Sequence, residues 1–142
     1  KIFVVGFSRG AQQAHRYYLR HPELVTALAT LSAGTYTMPT STAPYPIGVG
    51  GDAAWDYGRR FTAAPLRAVR VLVGCGSEDR NPTDVVRDWD AVGGTNRLDR
   101  ARSFAAALGS LGVPSELAEF PGAGHSFTEA MRDRAVRFLA AE

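Results

Sequence analysis

The sequence predicts an α/β protein, a mostly parallel sheet with helices on both faces. Short apolar runs rich in β-branched residues alternate along the chain with longer segments of helical periodicity. The runs lack polar alternation, as strands covered on both faces do. Glycine and proline signals close the links between them. Strands that alternate with helices feed crossovers into one parallel sheet. With 142 residues, the chain suits a single domain over 1–142.

Residues 2–5, IFVV, read as the first buried strand. A helix follows over about 9–20, where Ala11, Ala14, Tyr18 and His15 share one side at spacings of three and four. His21-Pro22 ends it, because a residue before proline is pushed out of the helical region. Residues 25–32, VTALATLS, give the second strand. The stretch 35–65 has weak periodicity, several prolines and glycines, and room for one short helix near 53–61. A long irregular excursion in a small domain is more often a lid or pocket wall than idle chain. Residues 69–76, VRVLVGCG, form the third strand, followed by a polar turn over 77–82. Asn96 offers a cap to a helix over 97–111 with Leu98, Ala101, Ala105 and Leu108 on its apolar side. Gly112 and Pro114 stop that helix. Residues 115–120 alternate as a strand, PGAGHSF makes a turn, and 128–141 make the closing helix.

Composition excludes several classes. The chain is 45% hydrophobic and 21% charged, which places it among ordinary globular proteins rather than disordered or fibrous ones. Net charge is +2 with the arginines dispersed, so no phosphate-binding stripe forms and nucleic acid is not an expected partner. The single cysteine, Cys75, leaves no internal disulfide and no Cys-rich metal site. No apolar stretch reaches the ~18 residues of a membrane span. The chain reads as soluble, in a cytoplasmic or a secreted setting, and no cofactor or metal is expected. Asp84, Asp88 and Asp90 lack the glycine and terminal glutamate of a calcium loop and read as a solvated face.

The residues GFSRG, Gly6 to Gly10, follow the first strand directly. A serine between glycines at a strand end fits the tight strand-to-helix turn that holds a hydroxyl clear of a sheet. Gly6 and Gly10 would let strand and helix pass closely around it. Asp79 and His125 also stand just past the C-terminal ends of predicted strands. In an open parallel sheet those ends share one edge, where crevices form. A serine hydroxyl needs a base, an imidazole titrates in the useful range, and a carboxylate can hold that imidazole in the right tautomer. The amide of Arg9 would give one donor to an oxyanion. Asp84 is the reserve candidate for the acid. His15 and His21 read as helix-face and helix-end residues. Tyr36, Tyr45, Trp55 and Tyr57 are candidates for a pocket wall or for packing anchors.

The order Ser8, Asp79, His125, with the phrases GFSRGAQQA, LVGCGSEDRNP and EFPGAGHSF, resembles the α/β-hydrolase superfamily, its esterase and depolymerase-like members in particular. The resemblance covers the half of that fold from the nucleophile strand to the C-terminal helix. It implies a serine hydrolase acting on small-molecule esters through an acyl-enzyme. A peptidase or thioesterase of the same fold, or a noncatalytic binding module on the same scaffold, are the alternatives. Strands that precede the nucleophile in the family are missing from this sequence, and with them the loop that gives the second oxyanion donor. The expected partner is therefore an N-terminal segment, a companion chain or a second copy that completes the sheet. Without it, residues 2–5 would leave a conspicuous apolar edge.

Overall fold

The computed structural model describes residues 1–51 and 61–141, and among them four strands and four α-helices frame the fold. In chain order they are β1 (Ile2–Phe7), α1 (Arg9–Arg20), β2 (Val25–Leu31), β3 (Arg70–Gly76), α2 (Asp90–Gly93), α3 (Arg97–Ser110), β4 (Ser115–Phe120) and α4 (Glu129–Ala140). The strands lie in the order β1-β2-β3-β4 and every pairing is parallel. Phe7 pairs with Leu31, Leu31 with Gly74, and Gly76 with Phe120, so the C-terminal ends of all four strands reach one edge.

Side-chain alternation builds a core on each face. Leu28 of β2 and Val71, Val73 and Cys75 of β3 face Ala11, Ala14 and Tyr18 of α1 and Leu98, Ala101, Phe104 and Leu108 of α3. Ala27, Ala29, Leu31 and Leu72 face the other way, against Met131, Ala135 and Phe138 of α4. Each large side chain buried in this way stabilises the fold by roughly 1.5–3 kcal/mol. Asn96 caps α3 by accepting from the Asp99 amide, and Thr128 caps α4 by accepting from the Met131 amide. Arg100 sits inside the α3 packing although it is charged. It donates to the carbonyls of Gly94, Gly34 and Val86 and to Asp90, which satisfies a buried guanidinium.

The first strand departs from its expected burial on both faces. Ile2, Phe3 and Val5 are 49%, 58% and 53% exposed. β1 is an edge strand, and α4 packs mainly across β2 and β3. An apolar groove of about 720 Å³ results, lined by Phe3, Thr26, Arg70, Val136, Leu139 and Ala140. Apolar character dictates that a strand wants cover, while its place in the sheet decides whether it has any. Of the excursion, residues 35–50 fold back on themselves, with Met38 donating to Ile47 and Val49 to Thr40. The short helix expected near 53–61 falls, but for Phe61, outside the described residues, and Trp55 and Tyr57 lie outside them. No helix among the described residues is long and apolar enough to cross a membrane.

Candidate active site

The edge where the strands end carries Ser8 first. β1 stops at Phe7, α1 begins at Arg9, and Ser8 between them has φ 57° and ψ −117°, a conformation an L residue rarely adopts. The Ser8 amide donates to Leu31 at 2.9 Å, and its carbonyl accepts from Gln12 at 3.1 Å. Gly6 is what lets the helix pass so near, since a Cβ there would fall 2.3 Å from the Gly10 carbonyl oxygen. Gly10 differs from expectation: a Cβ on it would meet nothing among the described residues. The close approach is made by the backbone of Gly10 against Gly6 and needs no glycine at position 10.

Asp79 and His125 arrive on loops that are stitched together. The Ser77 amide donates to Phe120, the Glu78 amide donates to Ala123, and the Gly122 amide donates to the Ser77 hydroxyl. Gly76 permits this, because a Cβ there would meet the Ala123 oxygen at 2.2 Å. Asp79 is buried, its amide bonded to Gly76 and its carbonyl accepting from the Leu98 amide in the first turn of α3.

The three side chains meet. Ser8 Oγ lies 2.9 Å from His125 Nε2, and His125 Nδ1 lies 2.8 Å from Asp79 Oδ2. The tautomer that satisfies both contacts has Nδ1–H donating to the carboxylate and Nε2 accepting from the serine hydroxyl. Phe7 stacks on the imidazole at 5.1 Å between ring centres. Asp84, the reserve acid, turns elsewhere: it accepts from Asn81 and faces Arg97 at 3.6 Å. Cys75 is no rival nucleophile, since burial and then the nearby Asp79 charge push its thiol up to about 12.

A cleft of about 620 Å³ opens beside Ser8, with Gln12, Arg16, Tyr45, Val86 and Arg97 among its walls. Tyr45 thus occupies the wall position expected of it. Tyr36 does not. It stacks on Phe104 at 4.5 Å in the core, 1% exposed, because the chain at 35–37 turns both threonine hydroxyls toward Arg16 and leaves the ring to pack inward. His15 is buried, donates through Nδ1 to Ala11 and accepts through Nε2 from the Thr37 amide. Burial lowers its pKa to about 3, so it stays neutral. His21 stands at the C-terminal cap of α1.

Sequence reasoning missed Arg97. Its Nη1 donates to Asp79 Oδ1 at 3.3 Å, on the oxygen that His125 does not use, and its Nη2 donates to the Asp84 carbonyl. The signal was its position, one residue past a helix cap on an element that follows the Asp79 strand. Among the described residues no three His, Cys, Asp or Glu side chains converge as a metal site would require.

The sheet and its helices are shared with solved structures. Poly(aspartic acid) hydrolase-1 from Sphingomonas sp. KT-1 superposes with a TM-score of 0.75 at 25% identity, over 96% of this chain and 54% of that one. The chain has an α/β-hydrolase fold. LpqC, a poly(3-hydroxybutyrate) depolymerase from Bordetella parapertussis, matches this chain with a TM-score of 0.73 at 23% identity, over 94% of this chain and 47% of that one. A ferulic acid esterase gives a TM-score of 0.58 at 21% identity, over 94% and 48% of the two chains. The chain thus spans about half the length of the structures it matches. No protein-family model matches the sequence, and no curated protein does.

Proposed function

We propose that the protein is a serine hydrolase that cleaves carboxylic ester-type bonds through an acyl-enzyme, with Ser8, His125 and Asp79 as its catalytic triad. The observation that carries this reading is the unbroken line of hydrogen bonds from Ser8 Oγ through both ring nitrogens of His125 to Asp79. As Ser8 Oγ bonds to the ester carbonyl carbon, its proton passes to His125 Nε2. Asp79 steadies the resulting imidazolium without taking a proton. The proton then goes to the departing alkoxide, which leaves as the alcohol. Water, deprotonated by the same nitrogen, repeats the attack and releases the acid. The Arg9 amide, first in α1 and so without an intrahelical partner, would serve the oxyanion. One such donor is worth roughly 3 kcal/mol of transition-state stabilisation. Arg97 and the Phe7 ring hold acid and base in position. The esterase and the depolymerase among the structural neighbours support ester chemistry.

The test is covalent. A fluorophosphonate probe is expected to label Ser8 in the complete protein, and Ser8→Ala is expected to lose both labelling and ester hydrolysis while keeping its circular dichroism. Undiminished labelling of that variant would sink the assignment.

We further propose that another strand of the same protein pairs with β1. The exposed Ile2, Phe3 and Val5 support it, and so does the length of the matched structures. At ~25 cal/mol per Å², a few hundred square ångströms of bare apolar surface costs several kcal/mol. Residues 1–142 alone are therefore expected to aggregate. A monomeric, esterase-active preparation of them, by light scattering and turnover, would refute the proposal, and a discrete active dimer would assign the edge to a second copy instead.

A further inference from the structure

Resting on the serine-hydrolase reading, we infer that the cleft beside Ser8 takes substrates bearing a free carboxylate, held by the guanidinium of Arg16 at a distance from the scissile ester. Ser8, Gln12 and Arg16 recur every four residues from the elbow along one face of α1, and all three line the cleft. The Cα atoms of Ser8 and Arg16 lie roughly 12 Å apart along the axis, and helical side chains lean back toward the N-terminus, which brings the guanidinium nearer to the serine.

Arg16 is fixed before any ligand arrives. Its Nε donates to Thr37 Oγ1 at 2.9 Å and one Nη2–H to Thr35 Oγ1 at 2.8 Å. Thr37 in turn donates its hydroxyl to the Pro46 carbonyl at 2.7 Å and its amide to His15 at 2.8 Å. Two of the five N–H donors of Arg16 are thus spent on neutral oxygens, Arg16 lines the cleft, and Nη1 makes no hydrogen bond among the described residues. Among the described residues no carboxylate pairs with it. The other half-buried cation of the cleft, Arg97, is held by Asp79 and Asp84. Burial also pulls the Arg16 pKa below the ordinary guanidinium value, with the Tyr45 phenol opposing the shift. A planar fork in that state suits a carboxylate, which it can grip through two donors.

A role confined to anchoring residues 35–46 makes a different prediction, so the measured quantity is a ratio. In the complete protein, kcat/KM is compared for p-nitrophenyl hydrogen adipate and p-nitrophenyl hexanoate, two acyl chains of equal length of which only the first ends in a carboxylate. The hemiadipate is expected to be preferred, mainly through KM, and the preference to fall as sodium chloride is raised. Arg16→Gln is expected to lower the ratio by roughly 10- to 100-fold, as loss of a charged hydrogen-bonding partner does, and Arg16→Lys to keep part of it. An Arg16→Gln protein that loses both activities equally would overturn the inference in favour of a loop anchor. Should that variant not fold, inhibition of hexanoate hydrolysis by free adipate in the unmodified protein decides: competitive, salt-sensitive inhibition supports the site, and its absence overturns it. Failure to hydrolyse either ester, with no fluorophosphonate labelling of Ser8, would instead remove the serine-hydrolase reading and this one with it.

Discussion

Neighbouring strands β1 and β2 both end in a serine with positive φ, 57° at Ser8 and 55° at Ser32. Each serine amide reaches sideways to the next strand, Ser8 to Leu31 at 2.9 Å and Ser32 to Gly74 at 2.8 Å. There the likeness stops. Ser32 is fully buried, its hydroxyl has no hydrogen-bond partner among the described residues, and the Cys75 thiol lies near it. Ser8 is half-buried, opens on the cleft and meets His125. A glycine stands two residues before Ser8, where the incoming helix needs the room, while Thr30 holds that place before Ser32. Backbone strain of order 1 kcal/mol or more is present at both ends, so strain alone does not mark a nucleophile. Access and a base within reach make the difference.

The largest expected effect tests that difference directly. Ser8→Ala should lower kcat/KM for an ester by about 10⁴-fold or more, as loss of a triad nucleophile does. Ser32→Ala should leave it within about threefold, because the hydroxyl removed has no partner. Equal losses from the two variants would mean that the strand ends act as one unit. Next come the glycines. Gly6→Ala should cost more than ~3 kcal/mol in urea unfolding or prevent folding, its Cβ meeting backbone that cannot move aside. Gly10→Ala should raise stability by up to ~1 kcal/mol, since the residue lies in α1 with open space beside it. A destabilised Gly10→Ala would show that other chain packs there.

Acid provides the third test. His15 holds the chain beyond β2 through Thr37 and is neutral when folded, with a pKa lowered from 6.5 to about 3. Unfolded chain takes up that proton first, so the stability it contributes is complete above pH 6.5 and is lost progressively as pH falls toward 3. The slope should be steeper than in His15→Gln by up to ~1.4 kcal/mol per pH unit. Parallel slopes would disprove it. The smallest effect concerns strain itself. Ser32→Gly should change unfolding free energy by less than ~1 kcal/mol, relief at positive φ being offset by the freedom glycine gains when unfolded. A larger gain would show that more strain is stored there.

Much of this was legible from the residues because local rules and tertiary structure agree. The four strands follow from apolar runs, and Asn96 caps its helix as expected, whereas Thr128, expected inside the closing helix, stands as its cap. Ser8, Asp79 and His125 could be brought together because parallel strands must share an edge. What could not be read depends on distant chain. Exposure of β1 follows from where α4 lies, and Tyr36 turns inward because Arg16 takes the threonines on either side of it. Nothing in the local sequence marks Arg97 or Arg100. Their partners, Asp79 and the Gly34 carbonyl, are supplied by loops far away in sequence. Gly76 gave no local sign that the His125 loop would press against it.

That contact at Gly76 divides the molecule along an unexpected line. Asp79 and His125, with every hydrogen bond that stitches their loops, belong to the stretch 76–125, whereas Ser8 and Arg16 sit on β1 and α1. A cut in the polypeptide between β2 and β3 would sever none of the bonds inside the acid–base pair, yet would put nucleophile and base on different molecules. On the triad proposed above, neither fragment would carry the whole site, and the sheet contact between β2 and β3 is what would hold the two parts together.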